Sequence, residues 1–301
     1  MKKFLIKIAI LFIITAICDI LFGKGMDYVV NHIEVGGQGR DNYICNTAEE
    51  DILIFGSSRA VHHYNSSMLE DSLGLTCYNC GDDGNGIILS YGRLLMAKER
   101  HQPKIIIQDV ATGFDIDKND NNKYLGWLKA RYDREGIAEI FDMVNPEEQY
   151  KMLSQMYRYN SKYLQNLFVY ATGISFNTGI KGFRPITGEM DTMKIRKTPQ
   201  TQIEEIDSVK LEFVKKFIAA ADNSQLYFVV SPVWYGKNSD ETAPIREICQ
   251  QENIPFIDFS NDPKYVHNNQ YFKDGTHLNA RGADEFTKDL IKILKEQYNM
   301  E

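Results

Sequence analysis

The chain has few cysteines, no excess of basic residues and, beyond residue 22, no long apolar run. Its five cysteines are too few and too scattered for a disulfide scaffold. Lysine and arginine number 34 against 41 aspartates and glutamates, giving a net charge of −7. This balance argues against a nucleic-acid partner, because phosphates require a basic surface. The mean hydropathy of −0.36 excludes a polytopic membrane protein.

The rest of the composition is that of a folded protein. Hydrophobic residues make up 43% and charged residues 25%, which excludes a disordered or collagen-like chain. A length of 301 residues suits one large α/β domain with insertions.

Residues 1–32 contain an apolar run that predicts a membrane segment. Two lysines precede the run from Phe4 to Phe22, whose length approaches the roughly 20 residues of a spanning helix. An uncleaved anchor, a cleaved signal peptide and a buried helix all fit this layout. We favour the anchor, because Ala16-Ile17-Cys18 is a poor cleavage site. Either of the first two places the rest of the chain outside the cytoplasm, on the periplasmic or cell-surface side.

The remaining chain divides by composition into a linker and a globular domain. Residues 33–50 are polar and rich in glycine, which predicts a linker. Residues 51–301 form the predicted globular domain, with an insertion at about 115–200. We expect this insertion to be mostly helical from 122 to 172 and irregular from 173 to 200. We expect the aromatic residues of the insertion either to pack in a core or to belong to a lid over a cleft.

Short apolar runs alternate with helical stretches from residue 51 onward. We predict strands at 52–55, 75–79, 104–110, 226–230 and 255–259, and helices at 66–72, 87–100, 207–221, 242–251 and 280–298. The run Ile105-Ile106-Ile107 is continuous, as expected for a strand covered on both faces of a parallel sheet. The alternation predicts a doubly wound parallel sheet, whose sites lie at the carboxyl ends of its strands.

Two turns at such positions carry residues suited to nucleophilic catalysis. Gly56-Ser57-Ser58-Arg59 follows the first strand, where a serine is either a nucleophile or a helix cap. Asp274-Gly275-Thr276-His277 precedes the last helix, and its aspartate and histidine can face each other across one turn. A serine needs a base, usually an imidazole oriented by a carboxylate. Together the two turns favour a Ser-His-Asp set.

These turns, with Asn79-Cys80-Gly81-Asp82-Asp83-Gly84, resemble the SGNH/GDSL hydrolase superfamily. The resemblance covers about residues 51–296, with specific motifs at three places. It implies an α/β fold, a flavodoxin-like three-layer α/β/α sandwich around a parallel sheet. The aspartate that usually precedes the family's nucleophile is Ser57 here. That departure is seen in membrane-anchored relatives that act on cell-envelope polymers.

The resemblance assigns catalytic roles residue by residue. Ser58, two positions after Gly56, matches the nucleophile, although Ser57 stays an alternative. His277 matches the base and Asp274 its orienting partner. No metal or redox cofactor is needed for this chemistry.

The resemblance also implies an oxyanion hole built from the backbone N–H groups of Ser58 and Gly84. The family's third motif supplies an asparagine after the third strand, and Asp109 stands near that place here. A carboxylate repels an oxyanion, so we expect Asp109 to position loops. Arg59 either pairs with Asp109 or clamps a substrate anion. His62 either contacts substrate or packs and caps its helix.

Two further segments have the spacing of other kinds of site. Cys77 and Cys80 have the spacing of a redox motif, which we interpret as structural or incidental. Residues 115–121 begin like a calcium loop, but Asp120 replaces the expected glycine and Gly126 the distal glutamate. We therefore favour a solvated acidic turn.

The sequence predicts a membrane-tethered serine esterase that removes O-acyl groups from an extracytoplasmic glycan or envelope polymer. Its expected partners are the membrane and an acylated small-molecule or glycan substrate. An O-acyltransferase acting on the same polymers and a catalytically inactive glycan-binding envelope protein are the alternatives.

Overall fold

The computed structural model describes residues 1–160, 162–176, 178–191 and 205–298. The chain forms two compact units, Met1–Tyr43 with Leu125–Asn177 and Ile44–Tyr124 with Thr178–Glu301. The domain boundaries given above stay a prediction. The expected end of the insertion near residue 200, and the irregular segment leading to it from residue 192, lie outside the described residues.

The helices are numbered along the whole chain. They are α1 (Lys2–Asn31), α2 (Gly36–Asn46), α3 (Ser58–His63), α4 (Ser66–Leu73), α5 (Ile87–Lys98), α6 (Thr112–Asp115), α7 (Ile137–Val144), α8 (Glu148–Lys151), α9 (Gln155–Arg158), α10 (Tyr163–Thr172), α11 (Ser208–Ala220), α12 (Ala243–Gln251) and α13 (Ala280–Tyr298). Short 3-10 helices occur at Asn121–Leu125, Lys129–Arg131, Ser239–Thr242 and Asn269–Tyr271.

The second unit is built on a sheet that has five parallel strands in the described part of the chain. The strands are β1 (Ile52–Phe55), β2 (Cys77–Asn79), β3 (Ile105–Asp109), β4 (Gln225–Val230) and β5 (Phe256–Asp258). Their spatial order is β2-β1-β3-β4-β5, the flavodoxin-like order. Every residue of β1 and β3 is buried, as continuous apolar strands require. The predicted α/β fold is confirmed.

Helices cover both faces of this sheet and give the unit three layers. On one face Ile54 belongs to a core that includes Tyr64 and Phe286, whose rings meet edge to face at 5.0 Å. On the other face Phe55 packs against Phe217 of α11 with ring centroids 5.6 Å apart. The alternation of side chains along β1 places successive residues in these two cores.

The first unit contains the apolar helix α1. The apolar window of α1 has a mean hydropathy of 2.6 and no buried residue. By length and composition this helix suits a membrane anchor or a signal sequence. The later part of α1 packs within the unit, where Met26 and Val30 form a buried cluster with Tyr159.

The segment predicted as a linker contains a helix, α2. Within the first unit, the Asn42 side chain donates hydrogen bonds to the carbonyls of Val30 at 2.6 Å and Ile33 at 2.8 Å. In the second unit, Arg100 donates to the carbonyl of Cys45 at 2.7 Å. The polar residues that predicted a linker here therefore include one, Asn42, that hydrogen-bonds to neighbouring backbone carbonyls.

Candidate active site

A glycine at the end of β1 sets the direction of the chain at the candidate nucleophile. Gly56 has φ +136°, and a Cβ there would lie 2.8 Å from the carbonyl oxygen of Asp109. Only glycine fits this conformation and this close approach. The turn lets α3 begin at Ser58, at the carboxyl end of β1. Since β1 neighbours both β2 and β3, this is the switch point where doubly wound sheets place ligands.

His277 lies within hydrogen-bond reach of Ser58 on one side and of Asp274 on the other. Ser58 Oγ is 2.8 Å from His277 Nε2. His277 Nδ1 is 3.0 Å from Asp274 Oδ2 and 3.1 Å from Oδ1. An ionised carboxylate only accepts, so Nδ1 carries the proton and Nε2 can accept from the serine hydroxyl. The two turns singled out in the sequence therefore converge in the fold.

The charge of Asp274 is stabilised within its own turn. Partial burial acts to raise its pKa, but hydrogen bonds from His277 and Thr276 outweigh burial and hold the pKa well below the usual range. The backbone N–H groups of Thr276 and His277 each donate to Asp274 Oδ1 at 2.9 Å. This carboxylate is thus ionised at neutral pH and fixed in orientation.

The alternative nucleophile Ser57 has a different environment. Its side chain is fully buried, and among the described residues its hydroxyl has no hydrogen-bond partner. The geometry therefore pairs His277 with Ser58 rather than with Ser57.

A cleft of about 290 Å³ adjoins Ser58 and His277. It is lined by Ser57, Ser58, Arg59, Ala111, Thr112, Gly113, Phe114, Val233, Lys237, Thr276 and His277. All of these residues follow β1, β3 or β4 or belong to the turn before α13. The cleft is therefore located where parallel sheets commonly bind ligands.

The turn that carries His277 is bonded to two neighbouring segments. Trp234, in the loop after β4, donates its backbone N–H to the carbonyl of Gly275 at 3.1 Å.

A buried histidine, His63, holds the same turn from the side of α3. Leu278 donates its backbone N–H to Nε2 of His63 at 3.0 Å. His63 Nδ1 lies 3.0 Å from Ser231 Oγ. Burial holds the pKa of His63 well below its usual value, which keeps the ring neutral and able to accept. Sequence reasoning did not identify this bracing role.

Asp109 is a fully buried carboxylate that is paired with Arg59, a residue of the cleft lining. Its Oδ2 is 3.4 Å from Arg59 Nε, while Oδ1 accepts from Tyr64 Oη at 2.8 Å and from Ser231 N at 3.1 Å. Of the two roles left open for Arg59, this structure contains the pairing with Asp109. Arg59 also donates to the carbonyl of Val110, so its guanidinium is held by the protein on several sides.

The loop that carries Gly84 is attached to the helix after the nucleophile. Gly84 has φ +72°, a left-handed conformation that favours glycine. The neighbouring Asp83 contacts His62 Nε2 at 3.2 Å and the guanidinium of Arg184. Burial acts to raise the pKa of Asp83, but these two contacts lower it to about 2. His62 Nδ1 also bonds the Arg184 carbonyl at 2.6 Å, so both of its ring nitrogens are engaged in packing contacts.

Lys237 is a cleft residue that sequence reasoning missed. Its ammonium donates to Thr112 Oγ1 at 2.9 Å and lies 3.6 Å from Glu241 Oε2. Burial and the nearby Arg59 lower the pKa of Lys237 to about 8. Its position in the loop after β4, at the site edge of the sheet, was the available signal.

The two other motifs are occupied by structural contacts. Asp115 is buried and accepts hydrogen bonds from the N–H groups of Ile87 at 2.7 Å and Ala111 at 2.6 Å. Because Asp115 is buried, the predicted solvated turn is wrong for this residue, and the burial raises its pKa to about 7. Cys77 and Cys80 are both buried, and burial raises the pKa of the Cys77 thiol, which disfavours a reactive thiolate.

Comparison with known proteins finds likenesses among solved structures. No known family profile matches the chain, and no curated protein matches it. It is similar to a protein from Streptococcus pneumonia provisionally described as a platelet activating factor, with a TM-score of 0.38 and 13% identity over 95% of this chain and 99% of the other. It is also similar to an acetyl xylan esterase from the rumen bacterium Butyrivibrio proteoclasticus, with a TM-score of 0.37 and 9% identity over 82% of this chain and 64% of the other. Likeness at this level assigns neither a family nor an activity.

Proposed function

We propose that this protein is a serine esterase of the SGNH/GDSL type that removes O-acyl groups from an extracytoplasmic glycan or envelope polymer. The observation that carries the proposal is the hydrogen-bonded chain from Ser58 through His277 to Asp274, with distances of 2.8 and 3.0 Å. The chain of groups has the order and the spacing that nucleophilic catalysis by serine requires.

Acylation begins with Ser58 Oγ attacking the ester carbonyl carbon. His277 Nε2 takes the hydroxyl proton as the Oγ–carbon bond forms, and Asp274 stabilises the resulting imidazolium. The tetrahedral intermediate then collapses, and His277 returns the proton to the leaving alkoxide of the polymer. In the second half of the reaction, water attacks the acyl–Ser58 ester while His277 takes its proton. His277 then returns the proton to Ser58 Oγ, and the acid is released.

The backbone N–H groups of Ser58 and Gly84 are the proposed donors to the oxyanion. Those of a first helical turn, such as the one that begins at Ser58, have no intrahelical acceptor and are available to a ligand. Asp109 does not serve as the family's third donor in this proposal, because its carboxylate is occupied by Arg59, Tyr64 and Ser231.

The cleft supports a short acyl group as the part of the substrate that is enclosed. Its volume of about 290 Å³ is at the lower limit of common ligand pockets, of about 300–1,000 Å³. A polymer would place only the acyl group and its nearest atoms there. The apolar run of α1 would tether the protein, and the lysines before this run favour the cytoplasmic side, which is consistent with an envelope substrate outside the cell membrane.

Hydrolysis of p-nitrophenyl acetate and acetate release from an O-acetylated glycan test this proposal. Ser58→Ala should lower kcat by about 10⁴-fold or more, because it removes the nucleophile. Ser57→Ala is the matched control and should stay within a few-fold of the unaltered protein. Equal activity of Ser58→Ala and the unaltered protein, or no activity from the folded unaltered protein, would contradict the proposal.

A further inference from the structure

The apolar part of α1 has the length of a bilayer core. The nineteen residues from Phe4 to Phe22, at about 1.5 Å each, span about 28 Å, close to the hydrocarbon thickness of about 30 Å. Most of its large apolar side chains are half exposed or more within the protein. If this segment crosses a membrane, the membrane surface lies near Asp19 to Phe22.

The start of α9 is fixed at that same level of α1. Asp19 Oδ1 accepts hydrogen bonds from Ser154 Oγ at 2.8 Å and Met156 N at 2.9 Å, and Oδ2 accepts one from Gln155 N at 2.7 Å. A Cβ on Gly23 would lie 2.4 Å from the Gln155 Cβ, so the two segments touch closely. This contact fixes the height of α9 relative to the apolar segment.

The start of α10 lies at this level as well. The Tyr163 ring meets the Phe22 ring edge to face, with centroids 6.0 Å apart. One to two turns further along both helices, Tyr170 meets Tyr28 with centroids 6.2 Å apart. The helix α10 therefore runs beside α1 and away from the apolar segment, with its first turn nearest the membrane.

Large apolar side chains are exposed in and beside the two segments that contact Asp19 and Phe22. We call them the membrane collar: Tyr150, Leu153, Met156, Tyr163 and Leu164, which are between 37% and 78% exposed. Beside them is a cavity of about 470 Å³ lined by Phe22, Met156, Tyr157, Asn160 and Tyr163. A cluster of exposed apolar groups with an adjoining cavity marks an interaction surface.

We propose that the membrane collar is embedded in the outer layer of the bilayer and that lipid chains occupy the adjoining cavity. Met156 and Tyr163 of the collar line one cavity with Phe22, the last residue of the apolar run of α1, which supports lipid rather than a protein as the partner. Lys129 and Lys151 lie 4.1 and 6.0 Å from the centroid of the Tyr157 ring. Lysines and tyrosines are the residues that favour the membrane–water interface. This inference rests on the proposed membrane anchor and is independent of the proposed catalysis.

Nitroxide accessibility in the full-length protein tests the collar. With the exposed Cys18 changed to serine, single cysteines would replace Ile13, Leu153, Leu164 or Phe176 and carry a spin label. The protein would be reconstituted in vesicles of three parts phosphatidylcholine and one part phosphatidylglycerol. Phe176 is the control, because it is 89% exposed and follows Ser175, which lies beside Gly36 beyond the end of α1.

Collision with oxygen should exceed collision with a water-soluble nickel chelate at Ile13, Leu153 and Leu164, and the order should reverse at Phe176. If collision with the nickel chelate exceeds collision with oxygen at both Leu153 and Leu164 but not at Ile13, the collar is overturned and the anchor stands. If the chelate also collides more often at Ile13, both are overturned. Esterase activity of the labelled proteins separates either result from the proposed catalytic function, since none of these residues lines the cleft.

Discussion

His63 Nε2 accepts the backbone N–H of Leu278 at 3.0 Å and thereby joins the helix that begins at Ser58 to the turn that carries His277. On its other side, the His63 Nδ1 bonds Ser231 Oγ at 3.0 Å. One buried imidazole thus connects three segments that follow different strands. We therefore expect the Ser58–His277 distance to depend on the position of this ring.

Replacing His63 should therefore affect both the alignment of Ser58 with His277 and the pH dependence of the free energy of unfolding. The folded protein holds the pKa of His63 well below its usual value of 6.5, so the unfolded chain takes up a proton first as the pH falls. The contribution of His63 to stability is complete above 6.5 and is lost as the pH falls below that value. Urea unfolding should show this loss in the unaltered protein and less of it in His63→Asn.

The same variant should be less stable near neutral pH by about 1–3 kcal/mol, the cost of an impaired buried hydrogen bond. It should also have a lower kcat for ester hydrolysis. An unchanged slope of unfolding free energy against pH would contradict the assigned environment of His63.

The buried pair of Arg59 and Asp109 predicts non-additive effects on stability. Asp109→Asn leaves the Arg59 charge without its buried partner, which should cost about 3–5 kcal/mol in the free energy of unfolding. In the double variant Arg59→Met with Asp109→Asn, the cost should be clearly less than the sum of the two single variants. Urea denaturation of the four proteins measures this difference, and strict additivity would show that the two side chains do not interact.

Lys237 predicts a preference for negatively charged acyl groups that depends on pH. Its ammonium borders the cleft, and its lowered pKa of about 8 means that the charge is lost as the pH rises through that value. Lys237→Met should reduce the ratio of kcat/KM for a carboxylate-bearing ester over a neutral ester of equal length by about tenfold.

The control is to measure the ratio of kcat/KM for the two esters at pH values below and above the pKa of Lys237. The unaltered protein should lose its preference for the carboxylate-bearing ester as the pH rises. Lys237→Met should show no preference at any of these pH values. A variant that keeps the preference of the unaltered protein would place the anion elsewhere.

The sheet and the two outer motifs were predictable because each depends on local signals. Continuous apolar runs such as Ile52–Phe55 predict buried strands, and the structure places that strand where the sequence indicated. Glycine at position 56 and the Asp-x-x-His spacing ending at His277 are short-range patterns. The sequence could therefore nominate Ser58, His277 and Asp274 before any long-range contact was known.

The supporting residues were not predictable because their roles arise only in the tertiary fold. Nothing local distinguishes the buried His63 from its neighbour His62, which is bonded at the surface of the same helix. The position of Lys237 after β4 indicates the site edge of the sheet, but its contact with Thr112 arises only in the tertiary fold. The helix α2 escaped prediction because its composition is polar and rich in glycine.

The most direct test of the central claim is to locate the site of covalent modification by a fluorophosphonate probe. Tandem mass spectrometry of the labelled full-length protein should find the phosphonyl group on Ser58, and His277→Ala should abolish the labelling because the serine then lacks its base. Modification of Ser57 or of a serine outside the cleft, or the absence of any adduct on the folded protein, would contradict the assignment of Ser58 as the nucleophile.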